Sequence, residues 1–510
     1  MSQKIVEIIQ NFLWPIKRDE LRKFFPMAFM LFFILFNYSV LRVLKDSLVI
    51  PALGAEAVSF IKSYFVVPCA VLFALLYAKM TNWMNFNRIF FSIGTFYLIY
   101  FVIFGLVIYP NQDIFHPSSH LVNRLIHEKY NLYLFQVDMD HFKWFIILFS
   151  KWSFVLNYIL AELWGSSMIF LLFWQFANQT VKTEEAKRFY PMFGLIGHAG
   201  ALASGYLLKY LAGSSEKNYT FAGLVFDDSF ALTVLASAFV ALVMIIIIFY
   251  YINYVADRET VYMTKAKRPE MLKSKLSIRE SIKVIMSSKY LGYIVILIFS
   301  YGIAINLVEG VWKDRARALY SNTVDYAGFS SDVIVYTGYS AMFFMLAGAN
   351  IFKYFGWLTA ALITPITIFV TGALFFLLVV FSDTMYANVA AMTLVNPLFL
   401  TVLVGTIQNV LSKGTKYALF DSTKEMAYIP LNQELKSKGK AAVDVIGARF
   451  AKSGGAHVQS LIFMIFPAAT YTTIAPYLMI VFTIVMVVWL YDVKMLYKAY
   501  AAKLKHPDNI

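Results

Sequence analysis

The chain has 510 residues, of which 60% are hydrophobic and 15% are charged, and its formal net charge is +14. A soluble globular chain is about 45–50% apolar and about 25% charged, so the composition excludes an ordinary soluble domain and indicates a protein whose solvent is a bilayer. The single cysteine, Cys69, excludes an intrachain disulfide.

Apolar runs along the chain predict an all-α integral membrane protein with about twelve transmembrane helices. A spanning helix needs about 20 predominantly apolar residues. Such runs follow a short basic segment, residues 1–23. We expect the spans to begin near Phe24, Ala57, Arg88, Trp144, Pro191, Ser229, Tyr290, Val333, Trp357, Val389, Ala441 and Tyr471. The run from Trp144 to Phe176 exceeds the usual length, which predicts a long tilted helix or a span with an extension.

A long polar segment, residues 257–288, divides the spans into two groups of six. We therefore predict an N-terminal six-helix half, residues 24–256, and a C-terminal half, residues 289–497, followed by a tail, residues 498–510. Two six-helix halves joined by a basic linker are the layout of major-facilitator-type transporters, which place the substrate between the halves near the midplane.

Lysine and arginine are concentrated in loops on one side of the predicted topology. This bias predicts a multi-pass membrane protein with both termini and the 257–288 linker in the cytoplasm. We expect Lys413 and Lys416 in cytoplasmic loops, and the cluster from Lys313 to Arg317 on the opposite side. Because topology accounts for the basic excess, we expect no nucleic-acid partner.

Charged residues inside the apolar runs are the candidate functional residues. A charge at the centre of a span costs about 2.5–3.5 kcal/mol on insertion scales. Lys62, Glu162 and Glu309 lie in three different runs, and Glu162 is expected to lie deeper than Glu309. The eleventh run carries Asp444, Arg449, Lys452 and His457. Either these charges pair only to hold helices in register, or they line a cavity whose positive excess binds an anion.

Three basic residues nearer the span ends have a simpler interpretation. Arg42, Lys45 and Lys151 are placed where a long side chain reaches the interface, so we interpret them as snorkelling. Lys151 precedes Glu162 by three helical turns and is expected on the same face.

The motifs give no indication of an enzyme, a metal site or a cofactor. Gly439-Lys440 lacks both the glycine five positions earlier and the following Ser/Thr of a phosphate-binding loop. His116 and His120 have i,i+4 spacing but no glutamate follows His116, so they are interpreted as loop residues rather than zinc ligands.

The sequence resembles the non-mitochondrial ATP/ADP translocase family, the nucleotide transporters of plastids and obligate intracellular bacteria. The matching stretches are residues 60–63, 161–166, 173–179, 185–194, 305–309, 416–421, 424–431, 438–442 and 452–456. The resemblance implies twelve spans and nucleotide exchange without hydrolysis. By motif, the charged residues that matter for transport in the family fall on Lys62, Glu162, Glu309 and Lys452, and the resemblance implies an inner-membrane protein of an obligate intracellular bacterium.

Some positions depart from the family's usual pattern. His198 stands where the exchangers usually carry Asn, Asn432 where the family often has Asp, and Ser422 where it often has Pro. Other members import different ribonucleotides, some with protons, so exchange and proton-coupled import both stay open.

The sequence therefore predicts a secondary transporter of ribonucleotides, with tri- and diphosphates as its partners and the lipid bilayer as its solvent. A major-facilitator-type symporter for a sugar phosphate or carboxylate is the alternative. Tyr64 or Trp164 is a candidate to stack on the base, and packing is the other interpretation of both. Secondary candidates for the site are His198, Arg449, Asp444, Lys45 and Asn306.

Overall fold

The computed structural model describes residues 15–127, 129–132, 135–181, 183–213, 219–221, 224–226, 228–250, 288–381, 396–431, 443 and 453–505. Within these ranges the regular structure is helical, apart from two antiparallel hairpins in loops of the N-terminal half. In the first, β1 (Lys129–Leu132) pairs with β2 (Phe135–Asp138), and in the second, β3 (Tyr219–Phe221) pairs with β4 (Leu224–Phe226).

The helices follow the predicted apolar runs. In the N-terminal half they are α1 (Leu21–Leu53), α2 (Ala55–Phe60), α3 (Val67–Trp83), α4 (Phe86–Ile103), α5 (Gln112–Phe115), α6 (Ser119–His127), α7 (Lys143–Ser150), α8 (Trp152–Trp164), α9 (Gln175–Thr180), α10 (Thr183–Gly213) and α11 (Asp228–Tyr250). In the C-terminal half they are α12 (Lys289–Leu319), α13 (Thr323–Val380), α14 (Pro397–Thr415), α15 (Asp421–Ala427) and α16 (Tyr471–Lys505), and residues 453–465 are helical. Wider π-helical turns are Ile61–Val66, Phe104–Ile108, Gly165–Trp174 and Lys416–Phe420.

Seven helical stretches of the described chain are long and apolar enough to cross a membrane. They include Arg18–Leu53, Lys289–Leu319 and Tyr471–Leu504. Since every backbone polar group must be bonded internally in lipid, continuous helices are the expected solution. The prediction of an all-α membrane protein is confirmed.

The structure bears on three of the predicted spans. The run from Trp144 to Phe176 is not one long helix, because the backbone leaves the helical region at Lys151 (φ −127°, ψ 46°), between α7 and α8. In the tenth predicted span, α14 begins at Pro397, where Asn396 caps it by accepting the Leu398 N–H, and the predicted start near Val389 lies outside the described residues. Gly356 breaks α13 with a φ of 75°, at the predicted junction before Trp357.

Small residues let the two halves approach closely. A Cβ added to Gly205 of α10 would lie 2.7 Å from Cγ2 of Val335 in α13, and one added to Gly338 would lie 2.7 Å from Cδ2 of Leu202. Such close contacts are how helices associate in lipid, where burial of apolar surface supplies no driving force. We call the end of the molecule formed by the C-terminal ends of α1, α10 and α12 and the start of α13 the closed end.

Candidate functional site

Glu309 of α12 lies at the centre of a cluster of lysines from both halves. Its Oε2 is 3.2 Å from Nζ of Lys62, in the π-helical turn after α2. Its Oε1 is 3.5 Å from Nζ of Lys313, one turn later in α12, and 4.0 Å from Nζ of Lys413 in α14. Lys62 also donates to Oδ1 of Asn306 at 3.3 Å. One carboxylate is therefore shared by three ammonium groups, and its bond to Lys62 joins the two halves.

A second ion pair between the halves lies beside the first. Asp46 of α1 accepts Lys313 at 2.9 Å, and the Lys313 side chain is only 3% exposed. The sequence analysis did not select either residue as a candidate. The signal was present, since Lys45 and Asp46 interrupt an otherwise apolar run. A partner 267 residues away was not visible in the sequence.

The third acidic residue, Glu162 of α8, contacts Lys45 rather than Lys151. Lys45 Nζ lies 2.7 Å from Glu162 Oε1, 3.3 Å from Asp46 Oδ1 and 3.9 Å from the centre of the Tyr158 ring. Lys151 lies at the break before α8, with its ammonium group 5.8 Å from the Phe154 ring centre. The interpretation of Lys45 as a snorkelling side chain is wrong, because it is buried and paired.

Other sequence expectations at the site are also corrected. Lys313 lies within α12 and Lys413 within α14, both buried, so neither is a loop residue. Lys416 begins a π-helical turn and pairs with Asp421 at 2.8 Å. Glu162 is the more exposed carboxylate, with 31% of its side chain accessible against 14% for Glu309.

Several predicted residues lie outside the described part of the chain. Asp444, Arg449 and Lys452 are among them, so their position relative to Glu309 stays a prediction. The helix that follows, residues 453–465, packs on α12, and a Cβ on Gly455 would lie 2.7 Å from Cβ of Asn306. The start of this helix is therefore against the Lys62–Glu309 pair.

The secondary and aromatic candidates are separated by the fold. His198 of α10 faces Tyr417 of the C-terminal half, with ring centres 5.5 Å apart. Tyr64 lies 5.7 Å from the ring of His457, also across the halves. Trp164 is fully buried, donates to the Ile34 carbonyl at 3.1 Å and packs edge-on against Tyr97. Trp164 is thus a packing residue, and its assignment as a base-stacking candidate is wrong.

The space at the charged cluster is small. A cavity of about 10 Å³ is lined by the residues around the Lys62–Glu309 pair, including Ser59, Asn306, Lys313 and Gln459. That is about the space of one water molecule. A group larger than a water molecule fits here only if the surrounding ion pairs open.

Similarity to known proteins identifies the family of this chain. Residues 1–500 match the family model of the TLC ATP/ADP transporter. ADP,ATP carrier protein 3 of Rickettsia conorii is 42% identical over 98% of both chains. ADP,ATP carrier protein 1 of Rickettsia bellii is 42% identical over 100% of this chain and 99% of its own.

Two solved structures share the fold at low identity. The nucleoside transporter NupG has a TM-score of 0.53 at 12% identity, covering 93% of this chain and 98% of its own. A bacterial homologue of the iron transporter ferroportin, in an inward-facing state, has a TM-score of 0.52 at 12% identity, covering 91% and 98%. These likenesses show the fold alone. The family match, in contrast, covers residues 1–500. The chain belongs to the TLC ATP/ADP transporter family.

Proposed function

We propose that this protein exchanges ATP and ADP across the inner membrane by alternating access, with the charged cluster at Glu309 as the phosphate-responsive gate. Family membership favours nucleotides over the sugar phosphates and carboxylates that the buried charges alone left open. The names of the Rickettsia relatives favour adenine nucleotides.

The observation that carries the proposal is the Lys62–Glu309 ion pair, which joins the two halves at 3.2 Å. A triphosphate loses its water on entering the site and needs compensating positive charge. Lys62 supplies that charge as a compact ammonium group. Lys452, the lysine that the family resemblance assigns to the opposite half, is expected to supply a second one.

Substrate phosphate then competes with Glu309 for Lys62. Each nucleotide that binds Lys62 weakens the bond holding the halves together, so it favours the state in which the closed end opens. Without nucleotide the ion pairs re-form. An empty carrier that reorients slowly for this reason performs obligate exchange rather than net import.

Transport into proteoliposomes tests the proposal directly. Vesicles preloaded with ADP should take up labelled ATP many times faster than empty vesicles, and Lys62→Gln should abolish most of that uptake. A panel of all labelled ribonucleoside di- and triphosphates, with and without a pH gradient, identifies the base and any proton coupling. Uptake independent of internal nucleotide would refute exchange, and an absence of nucleotide uptake in folded wild-type protein would refute the function.

The Lys/Arg bias supports an orientation with both termini and the 257–288 linker in the cytoplasm. In a Cys69→Ser background, Lys273→Cys should stay unlabelled by a membrane-impermeant thiol reagent on intact cells and react after lysis. Labelling of intact cells would reverse the proposed orientation.

A further inference from the structure

An open apolar groove lies between α12 and α16, two helices long and apolar enough to cross a membrane. Its volume is about 370 Å³, and its walls include Ile296 and Phe299 of α12 and Ile484 and Val488 of α16. Among the described residues that line it, only Ser300 is polar. An apolar gap does not order water, and its walls lose packing contacts unless another chain fills it. In a bilayer the chain available to fill it is an acyl tail.

The wall formed by α12 continues to the start of that helix. Its residues follow one another at spacings of three and four: Lys289, Gly292, Ile296, Phe299 and Ile303. This spacing places them on one helix face. A Cβ built on Gly292 would meet nothing within 4 Å. The face is therefore open from the groove to Lys289.

A matching stripe runs along α16 and also ends at a lysine. Its residues have the same spacing of three and four: Ile484, Val488, Tyr491, Met495 and Lys498. They share one helix face for the same reason, and Ile484, Val488 and Lys498 are exposed. Each wall of the groove therefore leads to a lysine.

The two lysines lie at the same end of the groove. Lys503, near the end of α16, has its ammonium group 5.8 Å from the ring centre of Tyr290, the second residue of α12. The end of α16 is therefore beside the start of α12. Lys289 directly precedes Tyr290, and Lys498 comes between the groove and Lys503 along α16. Both Lys289 and Lys498 are exposed, and neither forms an ion pair with a described residue.

This end of the groove is basic. Residues 491–505 carry four lysines, and their one acidic residue, Asp492, is buried. The proposed orientation puts this end on the cytoplasmic side, because the 257–288 linker directly precedes Lys289. Basic sites between transmembrane helices on that side bind anionic lipid headgroups. A lysine that only snorkels reaches the interface from any helix end, whereas these two stand at the mouth of one apolar groove.

We propose that the groove binds one anionic phospholipid, with an acyl chain between α12 and α16 and the headgroup phosphate at Lys289 and Lys498. Each ammonium group binds the phosphate as a point charge, and the anion compensates two lysines that have no carboxylate partner among the described residues. The inference concerns the contact between protein and lipid and does not depend on the proposed nucleotide function.

The site has a consequence for lipid selectivity. A zwitterionic lipid such as phosphatidylcholine offers the groove the same acyl chain, but its own quaternary ammonium group offsets the charge of its phosphate. Phosphatidylglycerol keeps a net negative charge at the headgroup. The groove is therefore expected to prefer phosphatidylglycerol to phosphatidylcholine of the same chain length.

Thermal unfolding of the purified full-length protein in mixed micelles tests the headgroup contact. At equal mole fraction, phosphatidylglycerol should raise the melting temperature more than phosphatidylcholine does. In the double variant Lys289→Gln with Lys498→Gln, this difference should fall by about half or more, because two phosphate contacts are lost. The matched control is Lys79→Gln with Lys353→Gln. It removes the same charge from two exposed lysines of α3 and α13 and should keep the wild-type difference.

A second variant tests the acyl-chain contact while both lysines stay in place. Gly292→Leu puts a branched side chain on the open face between Lys289 and the groove, where the lipid chain would enter. It should remove most of the difference between the two lipids. Gly292→Ala adds only a methyl group to the same open space, so it serves as the control and should keep the difference.

Several results would overturn the inference. Equal stabilisation of the wild type by the two lipids would do so, as would a difference that persists in the Lys289→Gln, Lys498→Gln variant. Loss of the difference in the Lys79→Gln, Lys353→Gln control would assign it to overall surface charge. A difference that Gly292→Leu leaves intact would show that the headgroup binds without a chain in the groove. Glycerol phosphate, which has no acyl chain, should leave the melting temperature unchanged, and stabilisation by it equal to that by phosphatidylglycerol would assign the lysines to a soluble anion.

Discussion

Glu309 is the residue on which the proposed gate is centred. Lys62, Lys313 and Lys413 approach one carboxylate from three helical segments, and the bond to Lys62 crosses between the halves. A buried ion pair of this kind contributes little net stability but is costly to break from one side. Its value to a transporter is that an anionic substrate can take the place of the carboxylate.

Replacing Glu309 by Gln should slow exchange at least about tenfold while changing the apparent affinity for nucleotide less. The variant leaves three ammonium groups without their shared carboxylate and removes the competitor that re-forms the closed state. Initial rates of ATP uptake over a range of concentrations separate the two effects. Glu162→Gln is the comparison variant. It should lower both the exchange rate and the apparent affinity for nucleotide, since Lys45 then keeps only Asp46 among its described carboxylates. Wild-type kinetics for Glu309→Gln would mean that Glu309 pairs with lysines only to hold the helices in register.

The Asp46–Lys313 pair should behave as a structural bond between the halves. Asp46→Asn leaves a lysine that is 3% exposed without its closest partner, at a cost of up to about 3–5 kcal/mol. The melting temperature of the purified protein should fall by several degrees. Asp46→Asn combined with Lys313→Gln should recover part of that loss, because neither charge is then left alone. If the fall in melting temperature of the double variant equals the sum of the falls of the two single variants, the result would argue against a direct bond between Asp46 and Lys313.

At this scale the sequence predicted which residues are charged inside the membrane but not which residues meet. Lys62 and Glu309 were selected because a charge inside an apolar run is energetically costly and therefore indicates a pairing or binding role. Asp46 was not selected at all, and Lys313 and Lys413 were assigned to opposite sides of the membrane rather than to the site. Their burial depends on helices that extend beyond the apolar runs, which periodicity alone does not reveal.

At the scale of the helices, wide turns coincide with the site. Lys62 is the second residue of one π-helical turn, Glu162 precedes another by three residues, and Lys416 begins a third. Wide turns of this kind are frequent at functional sites and shift the following side chains around the helix axis. The spacing rule that placed Lys151 and Glu162 on one face assumes a regular helix. Because the helix is broken at Lys151, the rule does not apply to this pair.

Close packing of α10 on α1 gives a prediction for a single glycine. A Cβ on Gly200 would overlap the carbonyl oxygen of Phe32, a backbone atom that cannot rotate away. Gly200→Ala should therefore destabilise the protein by about 1–3 kcal/mol through overpacking. Gly292→Ala in α12 is the control, since nothing lies within 4 Å of its added Cβ, and it should be neutral or stabilising by up to about 1 kcal/mol. Thermal unfolding measures the stability of both variants. Equal changes in stability would contradict the close contact between Gly200 and Phe32.

For the molecule as a whole, the fold class was accessible from the sequence because lipid permits so few solutions. Apolar runs of spanning length and the 257–288 linker predicted two helical halves before any contact was known. The sequence did not reveal which end of the molecule is closed. The closed end depends on contacts such as Lys209–Asp332 and Tyr206–Tyr339 between α10 and α13, each 2.7 Å, and these pairs join residues more than 120 positions apart.

A disulfide across the closed end tests whether opening there is required for transport. The Cβ of Ala212 in α10 lies 3.7 Å from a Cβ built on Gly328 in α13, within the range of about 3.5–4.5 Å that a disulfide spans. In a Cys69→Ser background, Ala212→Cys with Gly328→Cys should form the bond under mild oxidation and lose nearly all ATP exchange. Reduction should restore exchange, because the bond holds the halves in only one of the two states that alternating access needs. The two single-cysteine variants control for the substitutions and should be insensitive to oxidant. Undiminished exchange by fully crosslinked protein would mean that the closed end does not open during transport, and that the gate lies elsewhere.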